Sequence, residues 1–212
     1  ILDVFEKAIQ HNTPGYVISN GVSKEFHHID VERDPEFKGK FVILMSGRYS
    51  KEKKQTLLIK AVARSKHKKD IQIIFAGSGP REKEMRKCAE KYGVSPIYRF
   101  CKREELIQYL NMSDLYVHTS EIEIEAISCL EAISCGLVPL INNSPRSATK
   151  SFALNKNCLF KLNDVNDLSH KIDYWFEHPE EKEELAKKYQ SYCKQFDFDT
   201  CMEKMVKLVE ET

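Results

Sequence analysis

The segment SEIEIEAISCLEAISCG, residues 120–136, concentrates side chains that could do chemistry. Glu121, Glu123 and Glu125 alternate with isoleucines, after which the pattern turns helical near Ala126 and runs, almost wholly apolar, to a stop at Gly136. A fourth acid, Glu131, stands inside that apolar helix. A lone buried carboxylate is costly unless it is paired or hydrogen-bonded. The two vicinal hydroxyls of a ribose would satisfy it, and so would a structural lysine or a backbone partner. Glu123 lies on the loop ahead of the helix, where residues 124–128, Ile127 and Ser128 among them, can turn backbone N–H groups toward an anion. Ordinary loop acidity accounts equally well for Glu121, Glu123 and Glu125.

Two further loops carry candidate groups. GRYSKEK (47–53) begins at Gly47 and places Arg48 at a strand end and Lys53 in the opening turn of the next helix. Two cations near a helix N-terminus suit a diphosphate; a solvated lysine run explains the same residues. GSGP (77–80) allows close backbone approach to a ligand, and a plain turn before a proline-started helix fits equally. His118 ends a strand just before the acidic loop and reads as structural rather than as a general base, while Trp175 reads as core.

These loops need a scaffold. Short β-branched runs recur at 41–46, 71–76, 96–101, 114–119, 137–142 and 157–162. Amphipathic stretches at 52–66, 80–92, 103–111, 124–135, 165–177 and 179–193 alternate with them. In 52–66 the core stripe is Leu58, Ala61, Val62 and Ser65. Strands alternating with helices of this length imply βαβ units and a parallel sheet covered on both faces. The expected fold is α/β, a Rossmann-like doubly wound sheet over about 41–195. Residues 1–15 read as a short helix or tail, 16–40 as a linker arriving from a preceding domain, and 196–212 as an amphipathic helix that packs back on that domain. The start at Ile1 reads as a piece of a longer chain.

Composition narrows the function classes. The chain has 212 residues, 42% of them hydrophobic, enough for one good core. Its apolar runs fall far short of the ~20 residues that span a bilayer. The seven cysteines are odd in number and contain no CxxC pair, which favours a reducing cytoplasm over a disulfide scaffold or zinc site. A net charge of +1 conceals a basic segment, Arg48–Arg103, with 17 Lys/Arg against 5 Asp/Glu. Such a split suits two solvated faces, an anionic ligand or an anionic membrane surface. Nucleic acid is disfavoured, because the basic segment lacks interleaved exposed aromatics or a recognisable binding module.

With these residues in view, a resemblance emerges. Glu123 and Glu131, with seven residues between them and followed by AISCG, resemble the E-x7-E signature of retaining GT-B glycosyltransferases of family 4. VISNGV (17–22) resembles that family's interdomain PNG(V/I) strand, GRYSKEK its GR…EK phosphate loop, and FAGSGP its GxGP turn. FCKREEL (100–106) with SDLYVHTSE (113–121) resembles a further stretch, and the order agrees over about residues 16–195. EIEIEAISCLEAISCGLVPLI with SPRSATKSFAL (144–154) is most like bacterial glucosyltransferases acting on membrane lipids, the diacylglycerol and cholesterol α-glucosyltransferases. The chain departs from the family pattern in three places. Ile124-Glu125-Ala126 stands for Gly-Phe-Gly and stiffens the loop, Lys54 replaces a glycine, and Cys101 precedes Lys102 where glycine is frequent.

The resemblance implies the C-terminal half of a GT-B fold that binds UDP-glucose and takes a lipid hydroxyl as acceptor through the preceding domain. It implies that Glu131 holds the ribose, that Arg48 and Lys53 in the loop opened by Gly47 hold the diphosphate, and that Glu123 meets the donor sugar. Ile127 and Ser128 would offer N–H groups to the phosphates, and the base would lie near Phe100 and Cys101. It further implies retention with no metal and no tightly bound cofactor, and a cytoplasmic enzyme peripheral on the inner face of a bacterial membrane. Another GT-B enzyme such as a UDP-sugar 2-epimerase, and a non-catalytic nucleotide-binding module, are the competing classes.

Overall fold

The computed structural model describes residues 16–211; the expected helix or tail at 1–15 lies outside the described residues. Six strands form one parallel sheet: β1 (Phe41–Ser46), β2 (Ile71–Ala76), β3 (Ile97–Arg99), β4 (Leu115–His118), β5 (Pro139–Asn143) and β6 (Leu159–Lys161). Their spatial order is β3-β2-β1-β4-β5-β6, the doubly wound arrangement. Successive residues of a strand point to opposite faces, so the unbroken burial of Val42–Ser46 and Leu115–His118 means that both faces are covered. The cover is α1 (Gln55–Arg64), α2 (Glu82–Tyr92), α3 (Arg103–Met112), α4 (Ile127–Ser134), α5 (Val165–Glu177) and α6 (Pro179–Tyr192). α1 packs against α2 and α5, and α4 against α6.

The apolar periodicity accounts for these contacts. Leu58, Ala61, Val62 and Ser65 are buried as the stripe predicts, joined by Leu57 and Ile59. Trp175 is fully buried, with its Nε1–H donating to the Asn157 carbonyl at 3.0 Å. All seven cysteines are free thiols. No helix among the described residues is long and apolar enough to cross a membrane.

Two element boundaries differ from expectation in ways that shape the site. The first helix starts at Gln55, not at 52, because Lys54 adopts φ 55°, ψ 33°, a left-handed conformation incompatible with a right-handed helical turn. Lys53 therefore sits ahead of α1, not in its opening turn. Lys54 occupies the position where the resembled family has glycine, the residue that takes this conformation without strain. α4 begins at Ile127 rather than 124, so the acidic loop extends through Ala126.

The segment before the sheet is threaded along its flank. Val22 pairs with the chain at 196–198 through Val22 N–H to the Phe196 carbonyl (2.7 Å) and Phe198 N–H to the Val22 carbonyl (3.0 Å). Gly21 at φ +78° makes this possible: a Cβ there would stand 2.6 Å from the Phe198 Cα. Beyond, Arg33 bridges to Asp114 at 2.9 Å. The last helix, α7 (Phe198–Glu210), leaves Met205, Val206 and Val209 exposed.

Candidate active site

In this strand order the connections from β1 and β4 leave in opposite directions, and the crevice between them at the carboxyl edge is where such sheets bind ligands. Loop 47–54 follows β1 and loop 119–126 follows β4, and they are sewn together. Glu121 N–H donates to the Glu52 carbonyl at 2.9 Å, and Thr119 Oγ1 donates to the Lys53 carbonyl at 2.6 Å. Gln55 Nε2 closes the first loop on itself by donating to the Arg48 carbonyl at 2.8 Å.

Their charged groups meet inside this crevice. Lys53 Nζ pairs with Glu123 Oε1, and His118 Nε2 lies 3.2 Å from the same oxygen. Burial pushes the Glu123 carboxyl up, but hydrogen bonds from His118, Lys53 and Ser120 outweigh it and hold the group down at about 2. Glu123 is thus ionised at neutral pH. Burial works the other way on His118, which is fully enclosed and pushed down despite its acidic neighbour, so the ring is neutral. Arg48 is exposed, and its guanidinium has no ion-pair or hydrogen-bond partner among the described residues. Lys54 is taken by Glu121 at 2.7 Å.

α4 points its N-terminus at the same crevice. Ala126 caps it without a side-chain acceptor, so the N–H groups of Ile127 and Ser128 in the first turn have neither an intrahelical acceptor nor a cap. Such groups favour an anion. One turn further in, Glu131 is half-buried, and no hydrogen bond or ion pair reaches its carboxylate among the described residues. Burial pushes its pKa up, making it a weaker acid, opposed only by the charge of Arg103. The structural lysine or backbone partner that could have explained Glu131 is not found among the described residues.

Other predicted positions lie apart from this cluster. Phe100 and Cys101 follow β3, two strands from β1 on the same carboxyl edge, with Phe100 exposed. The glycines of GSGP serve close packing of loop on loop: a Cβ at Gly77 would stand 2.1 Å from the Gly47 carbonyl oxygen, and one at Gly79 2.5 Å from that of Tyr49. Tyr49 N–H donates to the Ser78 carbonyl at 2.9 Å, so this turn buttresses loop 47–53 from behind. Asp197-Phe198-Asp199 has the spacing of a metal-binding DxD, but Asp197 caps α7 by accepting from the Asp199 and Thr200 N–H groups.

Two residues acquire roles that sequence reasoning did not assign. Glu125 accepts hydrogen bonds from the Ser19 hydroxyl, the Asn20 side chain and, at 3.1 Å, the Asn20 N–H. It ties the acidic loop to the segment before the sheet, and no local pattern announces a contact across 105 residues. His118 touches Glu123, and its place at a strand end five residues before that acid was the available signal.

The comparisons with known proteins follow this geometry. The family described as glycosyl transferases group 1 matches residues 28–192. The chain belongs to that family. Among solved structures it is similar to the catalytic domain of cholesterol-alpha-glucosyltransferase from Helicobacter pylori, at 48% identity and a TM-score of 0.72, covering 74% of this chain and 98% of that one. It is also similar to HepE of Anabaena in complex with UDP-glucose, at 19% identity and a TM-score of 0.79, covering 93% of this chain but 57% of that one. A third is the C-terminal domain of LpcC, a glycosyl transferase group 1 family protein of Francisella tularensis, at 18% identity and a TM-score of 0.70, covering 81% and 95%. At these lower identities the likeness shows the fold. A search of curated proteins gave no match.

Proposed function

We propose that the chain is the donor-binding half of a retaining, metal-independent hexosyltransferase of the E-x7-E type, which transfers glucose from UDP-glucose to a membrane-lipid hydroxyl with α-configuration. The observation that carries this reading is the meeting, at one switch point, of Arg48, Lys53 and an uncapped helix N-terminus with an unpaired Glu131 one turn inside. In this arrangement Glu131 accepts hydrogen bonds from the two ribose hydroxyls, which relieves its unpaired state. The Ile127 and Ser128 N–H groups meet the phosphates. Arg48 and Lys53 hold the diphosphate and stabilise the negative charge that develops as the nucleotide departs, the part a metal ion would otherwise play. Glu123 accepts from hydroxyls of the donor sugar, and the base lies near Phe100 and Cys101.

Glucose leaves and the acceptor attacks on the same face, through an oxocarbenium-like state. The acceptor is bound by a preceding domain, for which residues 16–40 serve as linker and α7 as a returning helix. Two observations support this division: the chain spans 57% of the HepE chain, and α7 carries an exposed apolar face. The lipid acceptor, a sterol or diacylglycerol, is supported by the 48% identity to the Helicobacter pylori enzyme's catalytic domain. The basic segment 48–103 then helps hold the protein at an anionic membrane surface on the cytoplasmic side, each exposed cation contributing ~1 kcal/mol there. Cosedimentation with anionic and neutral vesicles checks that role: equal binding to both removes it.

The reading is tested by calorimetric titration with UDP, UDP-glucose, UDP-GlcNAc and GDP-mannose. Saturable binding of UDP and UDP-glucose in preference to GDP-mannose is expected. Heat from none of them contradicts the proposal.

A further inference from the structure

His118 is a fully buried imidazole at the crevice, and nothing in the roles above uses it. Its Nε2 faces Glu123 Oε1 at 3.2 Å, while its Nδ1 is buried with no hydrogen-bond partner. The ring is confined between β4 and its cover and stacks near Tyr116, with centroids 6.1 Å apart. A buried nitrogen left unpaired costs the fold free energy, so the arrangement asks what it secures.

The tautomer follows from the partners. A carboxylate only accepts, so Nε2 carries the hydrogen and Nδ1 keeps the lone pair. Protonating the ring would bury a second, unpaired N–H and a charge, and burial already pushes His118 toward the neutral form. Glu123 therefore has two different anchors on one oxygen. Lys53 is a flexible cation at the crevice, with its side chain 18% exposed. His118 is a neutral donor fixed in the core, with none of its side chain exposed.

The distinction matters when a donor arrives. The proposed function, on which this inference rests, turns the Lys53 ammonium toward a diphosphate, and Glu123 then loses its ion pair at the moment it must face the sugar. We propose that His118 is a positioning residue: a ligand-independent hydrogen-bond donor that keeps the Glu123 carboxylate aimed at the donor sugar while Lys53 turns to the diphosphate. It touches neither nucleotide nor sugar, so its effect falls on recognition of the sugar and not of the nucleotide.

The test compares UDP with UDP-glucose by calorimetry for the 212-residue chain, for His118→Leu and for His118→Gln. Gln places an amide donor near the Nε2 position and serves as the conservative rescue. The ratio of UDP-glucose to UDP affinity should fall about ten-fold in His118→Leu, the loss expected for one hydrogen bond to a charged group. It should return to within about three-fold in His118→Gln, with UDP affinity itself changed little in either. An unchanged ratio in a folded His118→Leu, or an equal loss of both ligands, overturns the positioning role. Absence of UDP binding by the unsubstituted chain overturns the proposed function with it, which keeps the two failures apart. Long-range proton–nitrogen spectra of the unsubstituted chain give a test that needs no variant. His118 should remain the neutral Nε2–H tautomer with and without UDP-glucose; the Nδ1–H tautomer or an imidazolium in either state contradicts the inference.

Discussion

Two carboxylates eight positions apart in one stretch of chain, Glu123 and Glu131, sit in opposite circumstances. Glu123 is held by Lys53 and His118 and its pKa is driven down to about 2. Glu131 has no partner among the described residues, and burial drives its pKa up. The first is a satisfied ion at rest, whereas the second is an unsatisfied one. An acid that stabilises its fold can be retained for structure alone. One that costs its fold free energy calls for a ligand, and this difference points to Glu131 as the more informative half of the pair.

Several experiments break or sharpen that contrast. The largest effect belongs to Lys53→Ala, which strands Glu123 with a weaker partner. Losing one side of a largely buried pair costs about 2–4 kcal/mol, after allowance for its partial exposure, read as a lower urea midpoint. Retention of wild-type stability would mean that the Lys53–Glu123 contact contributes nothing to the free protein.

Acid titration of stability separates the two acids by sign. Glu123 has a folded value near 2 against an ordinary 4.5, so its contribution is complete above about 4.5 and fades as the pH falls toward 2. That contribution is on the order of 2–3 kcal/mol. Glu131 runs in reverse. The folded state holds its proton more tightly than the unfolded chain, so stability from this group falls as the pH rises through its raised value. Glu123→Gln should therefore flatten the acid limb of the stability profile, and Glu131→Gln should steepen it; shifts of the same sign would erase the contrast.

A smaller effect is expected at Glu125. Glu125→Ala removes three hydrogen bonds to Ser19 and Asn20 in a partly exposed setting, at about 1–2 kcal/mol. Amide exchange should quicken in 17–22 and 121–126 together. Quickening in one segment only would show that the clamp does not couple them. The smallest effect is at Lys54. Glycine there relieves the left-handed backbone, by about 0.5–1 kcal/mol, and forfeits an exposed ion pair of similar size. Thermal denaturation of Lys54→Gly should show little net change, and a loss beyond ~1 kcal/mol would mean that the Glu121 pair matters more than its exposure suggests.

The scaffold was readable because buried parallel strands are continuous apolar runs. Phe41–Ser46 and Ile71–Ala76 announce themselves at both ends. The site's detail was less so. Nothing in KEKK says that Lys54 turns left-handed and pushes the start of α1 back to Gln55, and Ala126 is a cap with no capping side chain to signal it. Glu123 and Glu131 could be singled out from spacing, but not their opposite acidities, which depend on His118, Lys53 and the vacant surroundings of one helix face. The Glu125 clamp needed the fold itself, since its partners lie at the far end of the sequence.

The most direct test of the account pairs two readings on one variant, Glu131→Gln: UDP affinity by calorimetry and melting temperature by differential scanning. UDP binding should weaken ten-fold or more, as hydrogen bonds from the ribose to a charged acceptor are lost, with a melting temperature no lower than that of the unsubstituted chain. Undiminished UDP binding, or a variant that melts several degrees lower, would mean that Glu131 serves the fold and not a nucleotide.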